Sequence, residues 1–381
     1  MNRIYLDNST TSRLDPLVLE EMLPLLREGW GSAAQTHSFG REARKALEGA
    51  RGRVVQALGV MPEEIIFTCG GTEANNLALL GTARSLGYKG HVITSQVEHP
   101  SVLETVKALQ TEGHDVTLVP VGREGLVAPE DVKKAITKKT FLISILFAEG
   151  ETGAIQPIEE IASLARERGI LFYTDACLAV GKVRLPLEGP GIDLLSVSAH
   201  KFHGPMGVGA LFVRAGTRLK PVLFGGAEEH GLRPGPISPA LVVGMARALE
   251  LAEEQLNTGI PKLRLLEGQL LSGIKEVLGG ALLNGPSLAR LPGHLSLCFP
   301  GLEAEPLLLS LDLEGIAVGA GNPCASGAVE AAATLLAMGL SRELALSSLR
   351  FSLSRFNTSD EVVRTVKALS TVTARMRTVC V

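Results

Sequence analysis

Short apolar segments alternate with helix-forming segments along most of the chain. After residue 64, the apolar runs lie at residues 65–68, 91–95, 115–121, 141–147, 170–175 and 193–198. Helix-forming segments separate them, one from Glu73 and others at residues 101–110, 129–136 and 157–168. This alternation predicts an α/β fold with a largely parallel sheet and helices on both faces. Ligands bind such sheets beyond the C-terminal ends of the strands.

The two ends of the chain follow a different pattern. Residues 14–59 are mostly helix-forming, with Asp15-Pro16 as a helix start. After residue 245 a helix-forming segment breaks at residues 259–261, and a smaller α+β pattern follows. Its clearest elements are strands at residues 294–299 and 348–353 and a last helix with capping-box spacing at Thr358 and Glu361. We predict a large domain of residues 15–255 and a small domain formed by residues 1–14 and 256–381.

Composition narrows the class of protein. The chain has 381 residues, of which 45% are hydrophobic and 20% charged, so it can bury a large core. No apolar run approaches the roughly 18 residues that a membrane helix needs, and the first residues lack the apolar core of a signal peptide. We therefore expect a soluble cytoplasmic protein without membrane contact. A net charge of −3 with dispersed Lys and Arg argues against a nucleic-acid partner.

The five cysteines are Cys69, Cys177, Cys298, Cys324 and Cys380, and none forms a CxxC pair. Neither a zinc site nor a disulfide framework is indicated, so we predict no metal site.

One lysine stands where an apolar run breaks into a turn rich in Gly and Pro. Residues 193–198 form the run, Lys201 follows, and Gly204, Gly207 and Gly209 precede another apolar run. A strand would bring Lys201 to the C-terminal edge of the sheet, where glycines allow a cofactor to approach closely. We interpret Lys201 as a Schiff-base lysine, which requires burial to lower its pKa because the neutral amine is the nucleophile. The alternative is an ordinary lysine in a hairpin turn.

Three other strand ends carry polar groups. Gly71 and Thr72 follow a strand and open a helix, which suits a phosphate but is also a common tight connection. Asp175 ends an apolar strand, where a cation such as a pyridinium nitrogen would offset the cost of burying its charge. Asp175 could instead satisfy the loop after it. His99 lies in a strand-to-helix turn, where its ring could stack on a planar cofactor or be structural.

A phosphate-binding turn, a stacking ring, a carboxylate and a lysine are the components of a pyridoxal phosphate (PLP) site. The chain also resembles the class V aminotransferase superfamily, and within it the cysteine desulfurases that feed iron–sulfur cluster assembly. The matching motifs are residues 5–8, 37–41, 71–76, 97–99, 151–153, 174–176, 198–201 and 348–352. The resemblance implies the type I fold of PLP-dependent transferases, with a mostly parallel seven-stranded sheet and a smaller α+β C-terminal domain.

The resemblance also assigns roles to residues. It implies that PLP is the cofactor, that Lys201 forms a Schiff base with it, and that Asp175 and His99 contact its ring. Gly71, Thr72, Ser198 and His200 would hold the phosphate, Arg350 and the position of Gly150 would face the substrate carboxylate, and Cys324 would accept sulfur as a persulfide. A cysteine among small residues can be exposed and mobile, as that role requires. The implied partners are L-cysteine, a second copy of the chain in a homodimer, and a sulfur-acceptor or scaffold protein.

The chain departs from the family at four positions near the site. Gly150 replaces an asparagine that contacts the substrate carboxylate, and Leu178 replaces a glutamine that binds the phenolic oxygen of PLP. Pro236 replaces a threonine that reaches the phosphate of the neighbouring subunit, and proline has no hydroxyl or N–H. Glu149 would either repel the substrate carboxylate or point to solvent. Losing one of these hydrogen bonds costs roughly 1–3 kcal/mol if nothing replaces it.

Three functions remain open from the sequence. The leading one is a PLP-dependent cysteine desulfurase that converts L-cysteine to L-alanine and leaves a persulfide on Cys324. The second is a divergent PLP lyase or aminotransferase that acts on another amino acid, which the changes at Gly150, Leu178 and Pro236 favour. The third is a non-catalytic PLP-binding scaffold or sulfur relay.

Overall fold

The computed structural model describes residues 3–189, 191–323 and 329–379. The strands are β1 (Ile4–Tyr5), β2 (Ile65–Thr68), β3 (His91–Ser95), β4 (Asp115–Val119), β5 (Thr140–Ser144), β6 (Leu171–Asp175), β7 (Leu194–Ser198), β8 (Gly209–Val213), β9 (Leu282–Asn284), β10 (His294–Cys298), β11 (Ile316–Ala317), β12 (Asn322–Pro323), β13 (Val329–Glu330) and β14 (Ser348–Ser352). The helices are α1 (Pro16–Glu28), α2 (Ser38–Leu58), α3 (Gly71–Ser85), α4 (Pro100–Thr111), α5 (Pro129–Ala135), α6 (Ile158–Glu167), α7 (Pro239–Thr258), α8 (Ile260–Val277), α9 (Ala304–Leu313), α10 (Ala333–Ala337), α11 (Arg342–Leu346) and α12 (Ser359–Val379).

A seven-stranded sheet forms the centre of the molecule. Its strand order is β2-β8-β7-β6-β5-β3-β4. β8 runs antiparallel to both of its neighbours, and the other adjacent pairs are parallel. Because β8 is antiparallel to both β2 and β7, those two strands run in the same direction. The carboxyl ends of six strands therefore meet at one edge of the sheet. The predicted α/β fold with a mostly parallel seven-stranded sheet is confirmed.

Helices pack on both faces of this sheet, which is why its central strands are buried and rich in apolar residues. One face packs against α1, α2, α6 and α7 through residues such as Val18, Val54 and Leu249. The other face packs against α3 and α4 through residues such as Leu77 and Val106. Because the central strands are buried on both faces, their polar side chains can reach a ligand at the strand ends.

A second apolar core lies in the C-terminal part of the chain. It is built on the antiparallel sheet β14-β10-β9, which α8, α9 and α12 cover. Ile4 and Leu6 from the N-terminal strand also belong to this core. This separate core supports the predicted domains, residues 15–255 and residues 1–14 with 256–381, and those boundaries remain our proposal.

Several predicted helix boundaries have a visible cause. Asp15 caps α1 by accepting a hydrogen bond from the N–H of Leu17 at 2.9 Å. At the start of α12, Thr358 Oγ1 accepts from the N–H of Glu361, and Glu361 Oε2 accepts from the N–H of Thr358, which is the predicted capping box. α7 starts earlier than the sequence pattern indicated, because Pro239 occupies its first turn, where a missing N–H has no cost. Among the described residues, no helix combines the length and apolarity needed to cross a membrane.

Candidate active site

The predicted site residues do meet at one edge of the large sheet. His99 follows β3, Asp175 ends β6, and Ser198 ends β7 immediately before the 3₁₀ turn that carries Lys201. Gly71 opens α3 after β2. The hairpin from β7 to β8 holds Lys201, as the sequence predicted, and brings it to the C-terminal edge.

Lys201 points toward the N-terminal segment. Its Nζ donates to the carbonyl oxygens of Ser9 and Thr10, both at 2.7 Å. Burial lowers the pKa of Lys201, while the nearby Cys177 and Asp175 partly oppose this shift. The direction of the shift favours the neutral amine that Schiff-base chemistry requires. It does not favour the alternative of an ordinary exposed turn lysine.

Asp175 is buried at the end of β6 with a donor on each carboxylate oxygen. Asn75 Nδ2 donates to Oδ2 at 2.7 Å, and the N–H of Cys177 donates to Oδ1 at 3.0 Å. The second contact shows that Asp175 does support the loop after it. An ionised carboxylate has about four lone-pair sites, so these two bonds leave acceptor capacity for a pyridinium nitrogen.

His99 caps α4 and keeps an exposed ring. Its Nδ1 lies 2.7 Å from Ser101 Oγ and accepts from the N–H of Ser101 at 3.1 Å. Surrounding protein lowers the pKa of His99 by desolvation, which the charge of Asp175 partly opposes. The capping hydrogen bonds of His99 use only Nδ1, so its ring face and Nε2 stay available to a ligand.

Close packing explains the glycines of the predicted phosphate-binding turn. Gly70 has a φ of +150°, and a Cβ on Gly71 would lie 2.7 Å from Cys177 Sγ and 3.6 Å from Ser198 Cβ. A side chain at Gly209 would similarly lie 2.8 Å from the Cα of Gly70. The first amides of α3 therefore lie directly beside Ser198, as a helix N-terminus that binds phosphate requires.

Thr72 and His200 complete this turn. Thr72 is the second residue of α3 and is exposed. Burial and the charge of Lys201 lower the pKa of His200 to about 4, so its ring is neutral at pH 7. His200 Nδ1 lies 3.2 Å from Thr11 Oγ1.

A salt bridge attaches the loop of Pro236 to the same turn. Arg233 Nε lies 3.1 Å from Glu73 Oε1, and Glu73 Oε2 accepts from the N–H of Cys69 at 2.5 Å. Glu228 holds the loop from the other side by accepting from the N–H of Gly235. The loop therefore borders α3, but Pro236 supplies no hydroxyl there.

Arg350 extends from β14 toward the N-terminal segment and lies between two acids. Its Nη1 lies 3.2 Å from Glu151 Oε2, and its Nη2 lies 3.0 Å from Asp7 Oδ1 and 2.9 Å from Thr10 Oγ1. A Cβ on Gly319 would lie 2.6 Å from Nη2, so glycine is required beside the guanidinium. Thr10 thus contacts both Arg350 and Lys201, so the guanidinium and the amine lie close to one residue.

Glu149 is buried and does not point to solvent. Its Oε1 accepts from the N–H of Glu151 and from Thr334 Oγ1, both at 2.8 Å. Its Oε2 accepts from the N–H of Thr152 at 2.7 Å and from Thr152 Oγ1 at 2.8 Å. The solvent-pointing alternative for Glu149 is therefore wrong, because the loop after it supplies enough donors to bury the carboxylate, while repulsion of the substrate carboxylate stays a prediction.

Two of the divergent positions are neighbours. A Cβ on Gly150 would lie 3.7 Å from Leu178 Cδ1, an ordinary van der Waals distance. One wall of the site is therefore apolar at this point.

The predicted sulfur acceptor, Cys324, lies outside the described residues; β12 and β13 pair on either side of it. Burial raises the pKa of Cys69, Cys177 and Cys298, which disfavours the thiolate at each.

Some residues of the site were missed in the sequence. Asp7 and Glu151, which bind Arg350, lie inside recognised motifs but are too far from it along the chain for spacing to pair them. Asn75, which lies in the matching motif 71–76, and Ser101 join Asp175 to His99, but their polar character alone did not indicate these contacts.

The arrangement fits PLP. It offers a half-buried amine with a lowered pKa, a buried carboxylate with spare acceptor capacity, an exposed ring and a glycine-lined helix N-terminus. Residues 4–365 match the model of the aminotransferase class-V family, and the chain belongs to that family. Its members are PLP-dependent enzymes, so the predicted cofactor and the prediction of an enzyme are confirmed.

Among individual relatives, the chain is 42% identical to a cysteine desulfurase IscS from Dictyoglomus turgidum, over 99% of this chain and 96% of that protein. It is 38% identical to a cysteine desulfurase from Nostoc sp., over 99% and 94%. A solved NifS-like protein superposes with a TM-score of 0.92 at 37% identity, covering 98% of this chain and all of that one. The structure of SspA in complex with cysteine matches with a TM-score of 0.80 at 31% identity, over 94% and 100%.

Proposed function

We propose that this protein is a PLP-dependent cysteine desulfurase that converts L-cysteine to L-alanine and transfers the sulfur to Cys324. One observation carries the proposal. Lys201 and Arg350 both contact Thr10, at the edge of the sheet where β6 ends with Asp175. The amine that would hold the cofactor and the guanidinium that would bind the substrate carboxylate are therefore close enough to act on the same amino acid. Relatives named cysteine desulfurase, similar over nearly the whole chain, support this substrate.

Each residue has a role that its surroundings support. Gly71, Thr72, Ser198 and His200 would hold the phosphate. Asp175 would bind the pyridinium nitrogen, and His99 would stack on the ring. Lys201 would hold the cofactor, and its neutral amine, when free, would serve as the base for the Cα proton. When bound, PLP supplies an electron sink for the negative charge that develops at Cα.

Arg350 would bind the substrate carboxylate, for which a guanidinium offers paired donors. Its contacts with Asp7 and Glu151 hold it in place beforehand. Gly150 supplies no side-chain contact to the same carboxylate, so binding would depend mainly on Arg350.

The sulfur step requires a thiolate. The Cys324 thiolate attacks the substrate sulfur, the new S–S bond forms, and the bond between Cβ and sulfur breaks. Its electron pair remains on carbon, which takes up a proton to become the methyl group of L-alanine. Cys324 is left as a persulfide, from which a sulfur-acceptor or scaffold protein would take the sulfur.

A PLP lyase or aminotransferase for another amino acid is the second candidate. The residues at positions 150 and 178 favour it, because neither Gly150 nor Leu178 offers a polar side-chain group to the substrate carboxylate or the PLP phenolic oxygen.

Incubating the purified PLP-loaded protein with L-cysteine tests both candidates. We expect sulfide and L-alanine in equal amounts when a thiol reductant is present to release the persulfide sulfur. Sulfide with pyruvate in place of alanine would indicate a lyase. Turnover of other amino acids without any sulfide would indicate the changed substrate, and no turnover of any amino acid would contradict an enzymatic role.

We also propose that the protein acts as a homodimer in the cytoplasm. Large apolar side chains cluster at the junction of α1 and α2, where Trp30 is 72% and Phe39 48% exposed with ring centroids 5.9 Å apart. Phe224, in the loop that leads to Arg233, is 86% exposed. Exposed aromatic side chains of this size are typical of protein interfaces.

Replacing Trp30 with aspartate should therefore convert the dimer to monomer at micromolar concentration. A buried interfacial tryptophan typically contributes about 2 kcal/mol or more to binding, and a charge adds a desolvation cost. Sedimentation velocity measures the change. The control is Leu288→Asp, at a more exposed apolar residue between β9 and β10. Equal dissociation of both variants, or of neither, would contradict this location of the interface.

A further inference from the structure

A continuous chain of hydrogen-bonded side chains runs beneath the site, from the core of the sheet to His99. Its members come from β6, β7, α3 and the first turn of α4: they are Ser196, Tyr173, Asn75, Asp175, Ser101 and His99. Ser196 and Tyr173 are fully buried, and Asn75 is 1% exposed. Water therefore has little access to these groups, and each depends on its protein partners.

Asn75 connects the two branches of this chain. Its Nδ2 lies 2.7 Å from Asp175 Oδ2 and 2.8 Å from Ser101 Oγ, and its Oδ1 lies 2.5 Å from the hydroxyl of Tyr173. An ionised carboxylate only accepts, so the amide nitrogen must face Asp175. Both hydrogens of that nitrogen are then used, and the Tyr173 hydroxyl must donate to Oδ1.

The direction of the next bond follows. Ser101 Oγ accepts from Asn75, so its own hydrogen is free to donate to His99 Nδ1, 2.7 Å away. The backbone N–H of Ser101 donates to the same nitrogen at 3.1 Å. A ring nitrogen that accepts two hydrogen bonds carries no proton, and the proton of the neutral ring is on Nε2.

We propose that Asn75 is a positioning residue that, through Ser101, holds His99 as the Nε2–H tautomer while it orients Asp175. This inference rests on the proposed function in so far as His99 and Asp175 serve the cofactor there. Its consequence is that His99 enters the reaction as a hydrogen-bond donor at Nε2 and not as a base. Removal of the Cα proton is then left to the amine of Lys201.

The charges around His99 are consistent with a neutral ring. Desolvation lowers the pKa of His99, the carboxylate of Asp175 raises it, and Lys201 lowers it further. His200 is the other titratable side chain that interacts electrostatically with this ring, and its own pKa lies at about 4, so it adds no charge at neutral pH.

The test is the protonation state of His99 in the full-length, PLP-loaded protein labelled with ¹⁵N-histidine, with the His99→Gln variant used to assign the signal. In the wild type we expect an unprotonated Nδ1 and a protonated Nε2. Asn75→Asp keeps the side-chain shape but replaces the donor that faces Ser101 with an acceptor. Ser101 Oγ should then donate to residue 75 instead of to His99, so Nδ1 keeps only the backbone N–H of Ser101 as a donor, its ¹⁵N shift changes, and the pKa of His99 rises.

Asn76→Asp is the matched control, because the same change one residue along affects a side chain that bonds to the carbonyl of Thr72 and to Thr105 instead. It should leave the ¹⁵N shifts of His99 unchanged. A wild-type His99 protonated on Nδ1, a wild-type signal retained in Asn75→Asp, or an equal shift in both variants would each overturn the proposal.

If Asn75→Asp does not fold, Ser101→Ala takes its place, since it removes the hydroxyl donor to Nδ1 and should raise both the Nδ1–H fraction and the pKa of His99. An unchanged signal in that variant would also overturn the proposal. Because no L-cysteine is present, the result does not depend on whether the protein releases sulfide, and failure of the proposed function would be seen separately in the turnover assay.

Discussion

Replacing Lys201 with alanine should abolish both the covalent attachment of PLP and the turnover of L-cysteine. The amine at this position is half-buried, has a lowered pKa and interacts electrostatically with Asp175, so we expect no exposed lysine to take its place. We expect turnover to fall roughly 10³-fold or more, the scale on which loss of a covalent nucleophile acts. Borohydride reduction followed by peptide mass analysis should find the PLP adduct on Lys201 in the wild type and no adduct in the variant.

Lys182 provides the matched control. It lines the same small cavity as Lys201, and burial together with the charge of Lys201 lowers its pKa to about 8. A lowered pKa alone would therefore not distinguish the two amines. Lys182→Met should retain the borohydride-reducible adduct, since Lys201 is the lysine that follows the sheet edge directly. An adduct found on Lys182, or one that persists in Lys201→Ala, would reject the assignment of the cofactor lysine.

The fold was predictable because local signals agreed with the tertiary structure. Each apolar run of the large domain became a strand, and buried parallel strands need that continuous apolar composition. The capping box at Thr358 and Glu361 formed as its spacing indicated. The start of α7 was missed because residues 239–245 carry little periodic pattern of their own, and their helix depends on packing against α1 and α2 through residues such as Val242.

The strand-end residues of the site were predictable for a related reason. In a parallel sheet, residues that follow successive strands must meet at one edge, so His99, Asp175, Ser198 and Lys201 could be brought together from the strand pattern alone. Contacts between side chains from distant elements could not. The pairing of Arg350 with Asp7 joins residues at opposite ends of the chain, and nothing local to either residue specifies it.

Glu149 shows how a local argument fails. An acid beside a substrate-binding position suggested repulsion or solvent exposure, and the second alternative is wrong. The side chain instead turns back on its own loop and onto Thr334, and four donors replace the water that it loses. Whether a carboxylate is buried depends on where donors are in three dimensions, and Thr334 lies too far along the chain to be recognised as one.

Replacing Cys324 with alanine should separate substrate binding from sulfur release. Lys201, Asp175 and Arg350 remain in the variant, so L-cysteine should still change the visible absorption of bound PLP. Persulfide formation and sulfide release should be lost, because the cysteines with described environments have thiol pKa values raised by burial and are poor nucleophiles at neutral pH. Alkylation of the persulfide followed by mass analysis, together with sulfide assay, measures both effects.

Cys69→Ala is the matched control for this loss. Cys69 is exposed and precedes the phosphate-binding turn, so it is the described cysteine with the best access to solvent near the site. The raised pKa of its thiol, which burial and the hydrogen bond to Glu73 cause, predicts that the variant retains sulfide release. If Cys324→Ala kept full release and Cys69→Ala lost it, the acceptor would be Cys69. If both variants kept it, sulfur would leave by direct elimination, and the protein would be a lyase whose apolar wall at Gly150 and Leu178 would then account for the changed chemistry.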